Sequence, residues 1–110
     1  MLSMKALIPM VSDAHVGAWM ERRASSTDEL TISLKAAGKV AAMESALDSL
    51  RNVVDANADD AVAREKFTRI VENEIRENEE LVLSEPHELD KAIYSGAVDG
   101  LHHIQSLLSK

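Results

Sequence analysis

The chain has no cysteine, two prolines, four glycines and three aromatic residues among 110 positions. Without cysteine there are no disulfides, no thiolate metal ligands and no cysteine nucleophile. The aromatics are Trp19, Phe67 and Tyr94. Single-strand nucleic-acid platforms stack successive bases on rings along a groove lined with Lys and Arg. This chain lacks both the rings and the basic patch, so nucleic-acid binding is not expected. Long apolar runs are missing too, and nothing approaches the roughly 18 residues of a membrane span. The short apolar run at 6–8 meets Pro9 well before the roughly 7–15 residues that a secretory leader requires. No Gly-rich phosphate loop, nucleophile elbow or HExxH helix is present. These absences make a soluble, cytoplasmic, non-enzymatic protein without a cofactor the expectation.

With Gly and Pro so scarce, apolar residues recur at three-four spacing almost throughout, which is the helical signature. A chain of this length makes one domain, 1–110, burying roughly 65% of its unfolded surface. The pattern predicts an all-α fold, an elongated four-helix bundle with helices at about 12–24, 28–57, 61–83 and 86–108. Pro9 is expected to end or kink anything helical before it, leaving Leu2, Met4, Leu7 and Ile8 as an apolar lead-in. In the first helix Val16, Trp19, Met20 and Arg23 share one face. Ser26 and Glu29 have capping-box spacing for the second. Along that helix Ala36, Val40, Met43, Leu47, Leu50 and Val54 alternate steps of four and three, a coiled-coil-like seam. Asp59 or Asp60 is available to cap the third helix, and Ser84 to cap the fourth, with Pro86 in its first turn.

Size sharpens the expectation. A helix over 28–57 would be about 45 Å long, whereas a compact domain of this length spans roughly 34 Å. A bend near Gly38, an elongated bundle, or a second subunit over the seam would each resolve the overhang. Val40, Met43, Leu47 and Leu50 are therefore candidates for self-association or close helix packing. Gly96 and Gly100 join them. Each costs roughly 1 kcal/mol against Ala inside a helix, and both fall mid-stripe, which implies a helix approach with no room for Cβ.

Charge is distributed unevenly. Residues 72–90 hold eight acids and one base, leaving eleven acids and eleven bases elsewhere, so this stretch carries the entire net charge of −7. Such a field attracts basic partners and repels nucleic acid and anionic membrane. At 100° per residue, Glu72, Arg76, Glu79 and Glu80 fall opposite the apolar stripe and are the candidate partner-binding residues. Glu85, Glu88 and Asp90 cluster near the start of the fourth helix, where the helix dipole favours acids. Glu74 and Asn78 turn towards the apolar arc, as a core-edge pair bonded to a neighbouring helix or as a carboxylate with a raised pKa. Asp99, His102 and His103 are weak metal candidates: Asp99-x-x-His102 has the bundle-site spacing, but no second copy exists.

These readings favour a small interaction module that binds, and inhibits or adapts, a larger protein with a basic surface. Inhibitors, immunity proteins and phage-encoded antagonists of host proteins share this short, acidic, cysteine-free helical profile. A self-assembling element or assembly chaperone, with a homodimer as its simplest form, is the alternative. A bundle metalloprotein comes third.

Overall fold

A computed structural model describes residues 2–24 and 30–110. It contains four helices, α1 (Met4–Ala24), α2 (Leu30–Ala56), α3 (Asp60–Ser84) and α4 (Glu88–Leu108), and no strand among the described residues. The expected capping box at Ser26 and Glu29 lies outside the described residues.

The first helix begins eight residues earlier than the sequence pattern implies and continues past Pro9. Two contacts hold its start. The Ala6 N–H donates to Ser3 Oγ at 3.1 Å, and the Met4 N–H donates to Asp60 Oδ1 at 2.6 Å. Met4, Leu7, Val11 and Ala18 are buried along one stripe, so packing outweighs the hydrogen bond and the steric room lost at an exposed proline. The face shared by Val16, Trp19 and Met20 is accordingly the outer one, with these residues at 51, 45 and 62% exposure.

Asp59 caps α3, accepting from the Ala61 and Val62 N–H groups at 2.8 and 3.2 Å. The two adjacent aspartates thus divide the work, one on α3 and the other on α1. Ser84 is the last residue of α3 rather than the cap of α4; Pro86 lies in the connection, and His87 precedes α4 without a side-chain cap.

The helices run up, down, up, down. Glu21 of α1 meets Lys39 of α2 at 3.3 Å, and Arg64 of α3 donates to the Leu108 carbonyl at the end of α4 at 3.1 Å. Helices α2 and α4 are parallel neighbours through glycine. A Cβ on Gly96 would sit 1.8 Å from the Lys35 carbonyl oxygen, and one on Gly38 2.0 Å from that of Ile93. Gly38 is a contact point, and α4 is unbroken at Gly96. The overhang is resolved by elongation: the molecule measures 46 × 30 × 21 Å, with a radius of gyration of 14.4 Å.

The two ends differ. Phe67, Met4, Leu7, Met43, Leu50, Leu101, Ile104, Val11 and Val71 are the largest fully buried side chains. All lie at or below mid-length, towards the end where α1 and α3 begin. We call this end the base. At the opposite end, the head, α1 and α3 finish and α2 and α4 start. Among the described residues nine large apolar side chains are left exposed, and of these only Val62 lies at the base.

Candidate interaction surface

The buried stripe of α3 is Ala63, Phe67, Val71 and Ile75. Its outer side carries Glu72, Arg76, Glu79 and Glu80, all exposed. Leu83 projects in the same angular sector and is 86% exposed. Among the described residues none of these three glutamates is ion-paired. The only ion pair within α3 is Glu65–Arg69, at 2.7 Å, and Arg76 donates to Asn73 Oδ1 at 2.9 Å.

Packing splits this surface. Glu79 lines a groove of about 280 Å³ between α3 and α4 at the head, together with Val82, Val98, Ser95, Asp99 and the projecting Leu83. Glu72, two turns lower, lines a polar groove near the end of α4 with Arg64, Gln105 and Lys110. Arg64 itself is committed to structure. It donates to the Leu108 carbonyl and, through Nη2, to the Leu2 carbonyl, tying both chain ends to α3.

The remaining acids of the charged stretch do other work. Glu85 accepts from the His87 N–H at 3.1 Å. Glu88 pairs with Lys91 at 3.5 Å and, with Asp90, occupies the first turn of α4. Glu74 is half-buried on the α2 side of α3, at a cleft shared with Ser45, Tyr94 and Ala97. Desolvation, and secondarily repulsion from Glu77, raises its pKa above the ordinary 4.5. Asn78 donates to the Glu74 main-chain carbonyl at 2.8 Å, so the pair is joined within one helix and not to a neighbouring one.

Val40, Met43, Leu47 and Leu50 are buried inside the chain, and the α2 seam is used up by its own bundle. Gly96 packs on the Lys35 backbone. A Cβ on Gly100 would meet the Lys39 carbonyl oxygen at 3.0 Å, so the approach there is looser. Asp99 pairs with Lys35 at 3.3 Å. His102 and His103 are exposed, with His102 Nδ1 3.3 Å from Gln105 Oε1. No three groups capable of holding a metal ion converge among the described residues. No described helix is long and apolar enough to cross a membrane.

Two features went unread in the sequence. The outward direction of the Val16–Trp19–Met20 face follows only when Met4, Leu7 and Val11 define the inner face of α1. The contact role of Gly38 depends on α2 and α4 being neighbours. Comparison with known families, with curated proteins and with solved structures finds no match to this chain.

Proposed function

We propose that this chain is a small acidic protein–protein interaction module whose outer α3 face, Glu72, Arg76, Glu79 and Glu80, docks a larger protein with a basic surface. The observation that carries this reading is the set of exposed glutamates without ion-pair partners, sharing their sector with a fully projecting Leu83. Carboxylates set around an apolar anchor suit Arg and Lys around a hydrophobic contact. The charges raise the encounter rate and fix orientation, and the apolar contact supplies affinity. The role is binding, not catalysis. Its consequence is inhibition or adaptation of the partner in the cytoplasm, as in inhibitors, immunity proteins and phage-encoded antagonists.

The test is capture from a lysate of the source cells by the immobilised chain and by its E72K/E79K/E80K variant. The reading expects a basic partner that is lost from the variant and released by rising salt, as screened charge pairs weaken. Equal capture by a correctly folded variant would overturn it.

A further inference from the structure

The outer face of α1 is the least explained surface of the molecule. Val16, Trp19 and Met20 occupy positions i, i+3 and i+4 on the side opposite Ala18, and the chain's one tryptophan remains 45% exposed. Rotating α1 to bury them would expel Met4, Leu7, Val11 and Ala18 from the core. The face is also basic at its upper edge. Arg22 and Arg23 fill the last turn, with the Arg23 guanidinium stacked 5.0 Å from the Trp19 ring centroid. An apolar stripe at i, i+3, i+4 with flanking arginines is the form of helix that lies in an acidic, apolar groove.

Such a groove exists at the same end of the same molecule. It is lined by Val82 and Val98, with Leu83, Glu79 and Asp99 at its edge. Asp99 is paired with Lys35 and Glu88 with Lys91, but Glu79 and the adjacent Glu80 are exposed without an ion pair among the described residues, and their charge has the sign the arginines require.

We propose that two copies of the chain associate head to head, each seating its Val16–Trp19–Met20 face and Arg22–Arg23 edge in the α3–α4 groove of the other. The assignment rests on the reading of the acidic α3 face as a docking surface. Both patches lie at the head, and a two-fold arrangement that satisfies both contacts at once closes the assembly at a dimer. The acid-rimmed head also argues against an anionic membrane as the occupant, since like charge repels it. A larger basic partner then competes with the second copy for Glu79.

The experiment is mass measurement in solution, by sedimentation at 1–100 µM protein as a range on the order of ordinary dimer affinities. The wild-type chain is expected to be dimeric at the upper end. W19A/M20A, R22E/R23E and E79K/E80K, all at exposed positions, are each expected to weaken association by about tenfold or more. Mixing R22E/R23E with E79K/E80K should restore a dimer, because both contacts in the mixed pair then join opposite charges. A wild-type monomer throughout, or a dimer indifferent to all three variants, would overturn the proposal. The outcome is separable from the proposed function: a monomer that still captures a basic partner sinks only the dimer, and a charge-dependent dimer with no partner sinks only the docking of a larger protein.

Discussion

At the scale of single residues, the glycines form a graded series set by what a Cβ would strike. Gly38 and Gly96 face main-chain oxygens at 2.0 and 1.8 Å, Gly100 faces one at 3.0 Å, and Gly17 faces nothing within 4 Å. Alanine at Gly38 or Gly96 must push α2 and α4 apart and is expected to cost about 1–3 kcal/mol. At Gly100 the strain is smaller, because two of the three nearest atoms belong to the Lys39 and Met43 side chains. At Gly17 alanine adds helix propensity without a clash and should stabilise by about 0.5–1 kcal/mol. Urea unfolding of the four variants checks the order. Glu74 gives a second residue-scale expectation. Its carboxyl binds a proton more readily in the folded than in the unfolded chain, so the folded state holds more protons between the two pKa values. Stability therefore falls as pH rises through that window. Glu74→Gln should be more stable than wild type at pH 7, and the difference should close as pH drops below the ordinary 4.5. Asn78 is bonded to the main chain of residue 74, so the substitution leaves that bond in place. Thermal midpoints across pH measure the effect.

At the scale of the helices, periodicity was a good guide to number and order, and it failed where one local rule was given too much weight. Pro9 favours a boundary, yet the stripe Met4, Leu7, Val11 and Ala18 carries α1 through it. Ser84 looked like a cap because it precedes a proline, but α3 keeps it as a final residue. The cap from Asp60 to α1 was not legible, because it joins positions 56 apart in sequence. Asp60→Ala removes that cap and is expected to cost about 1 kcal/mol. Its signature in hydrogen exchange is faster exchange in the first turn of α1 with the base core still protected. Uniform loss of protection would show that Asp60 does more than hold α1.

At the scale of the whole molecule, the −7 stretch was legible as charge and only partly as a site. Helical spacing separated Glu72, Arg76, Glu79 and Glu80 from Glu74 and from the dipole-facing acids at the start of α4. It did not show that Glu72 and Glu79 line different grooves, nor that the apolar exposure of the chain is gathered at one end. Those facts depend on which helices are neighbours, and periodicity within one helix carries no such information. The resulting picture is a bundle closed at its base by Phe67, Met43, Leu50 and Ile104 and left open at a head rich in acids and exposed leucines. The central claim is that this acidic head is where the protein makes its contacts. Photo-crosslinking in the source cells tests it most directly, with the reactive residue placed at Leu83 on the acidic face or at exposed Asn52 towards the base. The account predicts adducts from position 83, to a basic partner or a second copy, and none from position 52. Adducts from position 52 alone would contradict it.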